Sequence, residues 1–150
     1  MVNPDNLSAR ILAVGDTHQT ELPLRWGDSD ALNHLNNTLY FRLMEEARMQ
    51  ILYGAGFKLP SETGLILAHA SCDFLRSFTY PADVLVKHTV TRIGRSSAEF
   101  ELTLEKAGDP SGPYARGRNV LVWMDYVANV SAPWPQQVLA QLGAMFTPAA

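Results

Sequence analysis

Between Arg25 and Tyr53 the chain reads RWGDSDALNHLNNTLYFRLMEEARMQILY. A short polar loop in this stretch gathers Asp28, Asp30, Asn33, His34, Asn36 and Asn37. Carboxylates and an imidazole are the side chains that move protons or attack carbonyl carbons. Next, Tyr40, Met44, Ala47 and Ile51 recur at i, i+4, i+7 and i+11, which draws one apolar stripe down a helix. Asn36 or Asn37 suits its N-cap, and Gly54 and Gly56 suit its stop. A helix that starts there turns its unpaired N–H groups and its positive dipole end towards the loop. Such an end favours an anion or a developing oxyanion.

The rest of the composition narrows the setting. A chain of 150 residues, 47% of them hydrophobic, can bury a core as one domain spanning residues 1–150. The net charge of −3 argues against a general nucleic-acid binder. Cys72 is the single cysteine, so no internal disulfide forms, which suits a reducing compartment. No leading segment has the pattern of a signal peptide, and no apolar run reaches the ~18 residues needed to span a bilayer. The expectation is a cytoplasmic protein with no membrane or nucleic-acid partner.

The elements that must hold the loop follow from periodicity. Residues 1–16 are weakly patterned and are expected to be loose. Leu22, Leu24 and Trp26 alternate with polar neighbours in a strand over Thr17–Trp26, where Pro23 hints at an edge or a bulge. After the helix, LILAHASCDFLRSFTYP reads as a buried strand that turns polar towards Pro81. Val84–Ile93 and Ala98–Lys106 alternate cleanly and are joined by a Gly94–Ser97 hairpin. A long strand is expected over Tyr114–Tyr126, with Val120, Val122 and Met124 on one face. A short helix is expected over Gln136–Met145. One helix followed by about four strands in antiparallel meander gives an α+β fold of five or six strands, with the sheet curled around the long helix.

The spacing Arg25-Trp-Gly-Asp28-Ser-Asp30, three residues, His34-Leu-Asn36-Asn37, then Tyr40, resembles the signature of hotdog-fold acyl-CoA thioesterases. The similarity is to the hydroxybenzoyl-CoA thioesterase family, and the HxNN part also resembles plant acyl-carrier-protein thioesterases. Asp73–Pro81, Asp83-Val-Leu, Arg92–Ser97, Ala115-Arg-Gly and Pro133 fit as well, so the resemblance spans roughly residues 18–142. It implies a hotdog fold and places the family's catalytic carboxylate on Asp30. The N–H that polarises the thioester carbonyl falls near Asn37. Coenzyme A phosphates would meet a basic residue after the Ile-Gly turn, at Arg95, with Arg92 beside it. Hotdog relatives pair their sheets, which implies a homodimer or a homotetramer built as a dimer of dimers, with the active site at the subunit interface. Two departures stand out. Asn33 occupies a position where the family usually has glycine, so a different turn is expected there. Leu32 stands where plant-type relatives carry a catalytic asparagine.

Thioester hydrolysis needs a group that activates water or attacks the carbonyl, and donors for the oxyanion. Asp30 fits either role, as general base or as nucleophile forming a mixed anhydride. Asp28 is read as orienting the loop, and His34 as either fixing the loop or joining the catalysis. Tyr40, Phe41 and Met44 are expected to line an acyl site along the helix, although Tyr40 and Met44 also suit a core. Asp28, Asp30 and His34 lack a second histidine at ligand spacing, so no metal is expected, and no cofactor motif is present. Three functions follow. The first is an acyl-CoA thioesterase for a small, medium-chain or aromatic acyl group. The others are a hotdog enoyl-CoA hydratase or dehydratase, and a non-catalytic acyl-thioester binding module.

Overall fold

A computed structural model describes residues 10–150. Its strands are β1 (Thr17–Pro23), β2 (Thr63–Phe74), β3 (Asp83–Ile93), β4 (Ser97–Lys106), β5 (Ala115–Asp125) and the two-residue β6 (Val130–Ser131). The helices are α1 (Asn37–Gly54) and α2 (Gln136–Ala144), and a 3-10 turn covers Trp26–Asp28.

All strand pairs are antiparallel, in the order β1-β3-β4-β5-β2, with β6 added to the end of β5. Only β3, β4 and β5 form a consecutive meander. β2, the strand that follows α1, skips past β3 and β4 to pair with β5. This curved antiparallel sheet with its 18-residue helix is the hotdog architecture, to which α2 is added.

The helical stripe faces the sheet. Tyr40, Met44, Ala47 and Ile51 are all at most 4% exposed, and they meet Val84, Val86, Val90, Leu102 and Leu104 in one core. Burying each large side chain of this kind contributes about 1.5–3 kcal/mol. Gly117 on β5 lets the helix come close, because a Cβ there would lie 2.6 Å from the Met44 methyl.

Two expectations are corrected. Residues 1–9 lie outside the described residues, but 10–16 are tied down. Leu12 is 2% exposed and its N–H donates to Leu139 O, while Arg10 donates to Gly143 O and pairs with Asp16 at 2.6 Å. α2 supplies those acceptors, and no local pattern announces a contact so distant in sequence. Second, β2 is not buried. It is the outer strand of the sheet, and Ile66 and Leu67 are 40% and 43% exposed. On β5, Val120, Val122 and Met124 share one face as expected; it is the half-covered one, and the core face is Ala115, Gly117, Asn119, Leu121 and Trp123.

Candidate active site

The loop from Asp28 to Asn36 is closed by its own backbone. Leu35, 3% exposed, anchors it in the core and donates its N–H to Phe78 O at 2.9 Å. Asn36 N–H donates to Asp28 O at 3.1 Å, and Ser29 bridges to Leu35. Asp28 turns inward on this frame. Its carboxylate accepts from Arg25 N–H at 2.8 Å and lies 3.6 Å from the Arg25 guanidinium.

Asp30 is the loop's exposed acid. Its N–H donates to His34 O at 2.8 Å, and its own carbonyl accepts from Asn33 N–H at 3.0 Å. Its Oδ1 accepts from Leu32 N–H at 2.8 Å and His34 N–H at 3.2 Å. Among the described residues, Oδ2 has no donor. The tight turn requires φ +57° at Asn33. Glycine adopts that left-handed conformation freely, and asparagine tolerates it better than other residues with a side chain. The turn is therefore of the kind a glycine would make, which corrects the expectation of a different one. His34 is exposed and holds Asp30 through its backbone N–H, while its ring makes no hydrogen bond among the described residues.

Asn36 caps α1, its Oδ1 accepting from Thr38 N–H at 3.0 Å. Leu39 N–H donates to Asn36 O at 2.9 Å. The N–H of Asn37, the first helical residue, has no acceptor among the described residues. The loop thus ends at an open donor backed by the helix dipole.

Phe41, Met44 and Thr38 line a cleft of about 240 Å³ between α1 and β2, with Leu67, Ala70, Arg48 and Asn119. Phe41 is 39% exposed there, whereas Tyr40 is 2% exposed and packs in the core against Phe74 and Phe78. Burial raises the Tyr40 hydroxyl's pKa above its ordinary value. A second cleft, about 470 Å³, runs along the other side of α1 past Asp28, Leu39 and Arg42. A third, about 520 Å³, opens at the opposite end of α1 between the 57–61 loop and β2, and no residue of the Asp28–Asn36 loop lines it.

Arg92 and Arg95 do not join this group within one chain. They sit at the β3–β4 turn, while the loop docks beside Phe78 and Ala82 at the other end of β3. Strand β3 alone is roughly 35 Å long at ~3.3 Å per residue. Cys72 is half-buried, and burial first, then the nearby Asp73 charge, pushes its thiol up to about 11, so it is not a poised nucleophile. The buried Asn119 and the half-buried Arg48 escaped the sequence reading. The signal available was parity, since Asn119 stands in the alternation where apolar residues belong.

A fold and a loop of this kind define a thioester-processing hotdog protein. The model of the thioesterase-like superfamily matches residues 24–142, and the chain belongs to that superfamily as a thioester hydrolase. Among solved structures, the PA2801 protein from Pseudomonas aeruginosa, titled a candidate thioesterase, is 35% identical with TM-score 0.78, over 84% of this chain and 98% of its own. A candidate acyl-CoA thioesterase from Xanthomonas campestris is 30% identical with TM-score 0.66, over 77% of this chain and 95% of its own. The 1,4-dihydroxy-2-naphthoyl-CoA thioesterase from Synechocystis shares the fold at 21% identity and TM-score 0.75, over 84% of this chain and 95% of its own. No curated protein matches.

Proposed function

We propose that this protein is an acyl-CoA thioesterase acting on small, medium-chain or aromatic acyl groups, with Asp30 as the reacting carboxylate. One observation carries the reading: Asp30 is fixed through Oδ1 by two backbone N–H groups, its Oδ2 is left free, and the open N–H of Asn37 begins the adjoining helix. In the base route, Oδ2 takes a proton from water and the hydroxide adds to the thioester carbon. The carbonyl oxygen becomes an oxyanion facing the Asn37 N–H. Collapse breaks the C–S bond, and the thiolate leaves and is protonated, giving free acid and coenzyme A. In the nucleophile route, Oδ2 itself adds to the carbon, the thiolate leaves, and water hydrolyses the mixed anhydride. A thiolate leaves readily, so one carboxylate and one oxyanion donor suffice in either route. His34 contributes mainly by its backbone hold on Asp30.

The working unit is a homodimer, or a tetramer built as a dimer of dimers, located in the cytoplasm. Support comes from β2, a twelve-residue outer strand with Ile66 and Leu67 exposed. An open apolar edge of that length invites a second strand. Pairing two β2 strands antiparallel about a two-fold axis brings the partner's opposite sheet end to the Asp30 side. Arg92 and Arg95 reach coenzyme A phosphates at this loop only in such an assembly. No described helix is long and apolar enough to cross a membrane.

Asp30→Asn tests the reading, since it keeps the shape and removes the base or nucleophile. Turnover of octanoyl-CoA or benzoyl-CoA is expected to fall at least about 100-fold, the usual scale for a general base. Hydrolysis near the wild-type rate, with an unchanged melting temperature, contradicts the assignment. Crotonyl-CoA hydration, assayed beside it, separates the hydratase alternative.

A further inference from the structure

The interior beneath α1 holds polar groups that the chain does not satisfy. Asn119 is 1% exposed and His88 3% exposed. Neither the Asn119 amide nor the His88 ring has a hydrogen-bond partner among the described residues. Asn119 sits mid-sheet on β5, between Ala70 of β2 and Phe100 of β4. Facing the same space from α1 is Arg48, whose side chain is only 12% exposed. Its one carboxylate contact among the described residues is Glu45 at 3.8 Å, and the Glu45 side chain is 62% exposed. Met44, one turn before Arg48, packs on Gly117, two residues before Asn119, so the helix and β5 run in step here.

Arg48 and Asn119 lie at the end of the 240 Å³ cleft away from Thr38, and with His88 they also face a small cavity behind it. That inner cavity holds about 20 Å³, room for one water. The surface that cavity exposes is apolar, and a single water there would leave the guanidinium without a matching anion. A mostly covered cation with one loose ion pair and a buried amide without partners are both costly arrangements. An anion in the cleft would relieve both. It would accept from the Arg48 fork and from the Asn119 amide together, the pairing that guanidinium geometry suits best. A hydroxyl would meet the amide but not the charge.

We propose that Arg48 and Asn119 form a subsite for a carboxylate at the far end of the acyl group, so that the substrates include mono-coenzyme A thioesters of dicarboxylic acids. The inference rests on the thioesterase reading above and adds to it the chemistry of the acyl tail. The spacing agrees. From Asn37 to Arg48 the helix rises about 16 Å, and an arginine side chain leans back towards the N-terminus, so roughly 10 Å separates the oxyanion donor from the guanidinium. A diacid of medium length spans that gap.

The test compares suberyl-CoA with octanoyl-CoA, which have the same carbon number and differ at the distal end. Wild-type protein is expected to favour suberyl-CoA in kcat/KM by at least about tenfold, the scale of a hydrogen bond to a charged group. Arg48→Met keeps the aliphatic stem, removes the cation and is expected to reverse the preference. Asn119→Leu is expected to weaken suberyl-CoA several-fold more than it changes octanoyl-CoA. If wild-type protein turns over octanoyl-CoA as well as or better than suberyl-CoA, the carboxylate subsite is wrong and the thioesterase reading stands. If both variants change the two substrates equally, Arg48 and Asn119 are structural and the inference also fails. If no acyl-CoA of any kind is hydrolysed, the functional reading fails and takes the subsite with it. The wild-type comparison decides the matter even if a variant does not fold.

Discussion

Asp30 stands in solvent and one of its oxygens already has two backbone donors, whereas Asn119 is 1% exposed and has none. The loop from Asp28 to Asn36 is held by its own backbone hydrogen bonds and leaves an Asp30 carboxylate oxygen and the helix N–H of Asn37 open. Beneath α1 the reverse holds, since His88 and Asn119 are buried without partners and the half-buried Arg48 has one loose ion pair. A satisfied loop keeps its shape whatever binds, which suits the group that performs the chemistry. An unsatisfied interior waits for an occupant, which suits the choice of substrate. On the proposed reading, reaction and recognition fall to different residues, about three helical turns apart along α1.

Substitutions should separate these regions, and the largest effect belongs to the loop. Asp30→Asn is expected to cost at least about 100-fold in kcat, while His34→Ala, which keeps the backbone N–H, should cost less than about tenfold. Equal losses from both would give the His34 ring a catalytic part. Next comes the open edge. Leu67→Asp puts charge on the exposed face of β2, and light scattering should show a shift towards monomer of about 17 kDa, with activity falling in step. A fully active monomer would place the whole site within one chain.

A smaller change is expected from Arg95→Ala, which should raise KM several-fold for acyl-CoA at nearly constant kcat and leave acyl-pantetheine unaffected. Equal effects on both substrates would remove Arg95 from phosphate binding. The smallest effect concerns stability. Burial first, then the charges of His18 and Arg48, push the His88 pKa down to about 3. Between pH ~6.5 and ~3 the unfolded ring is protonated and the folded ring is not. Stability therefore falls as pH drops through that window, by up to about 1.4 kcal/mol per pH unit from this residue. His88→Leu should flatten that slope relative to wild type in denaturant titrations at pH 7 and pH 5. It should not lower stability at pH 7, because an unpartnered polar group is replaced by an apolar one. An unchanged slope would mean that the ring is hydrated and titrates normally.

The sequence announces the parts of this molecule that rest on local rules. The stripe from Tyr40 to Ile51, the Asn36 cap and the β3–β4 hairpin follow from periodicity and capping, and all three are present. Pairing partners do not follow from local rules. Nothing within β2 tells that it crosses to β5, or that its apolar residues are open to a neighbour. Leu12 was hidden for the same reason, since its cover comes from α2 at the other end of the chain. The candidate loop was visible through its residue types and its position before a helix. Placement divided the remaining candidates. Phe41 and Met44 line a cleft, Tyr40 belongs to the core, and Arg92 and Arg95 lie at the far end of the sheet. The Arg48–Asn119–His88 cluster stayed hidden because each member looks ordinary until the helix and the sheet are superposed.

The most direct test of the central claim is release of free thiol by the wild-type protein from a panel of coenzyme A thioesters. The panel should contain acetyl, octanoyl, benzoyl and suberyl members, with crotonyl-CoA hydration followed in parallel. The account predicts catalytic thiol release from at least one medium-chain or aromatic member and no hydration of crotonyl-CoA. Absence of thiol release across the panel, together with hydration of crotonyl-CoA or hydrolysis of an acyl-carrier-protein thioester, would contradict it.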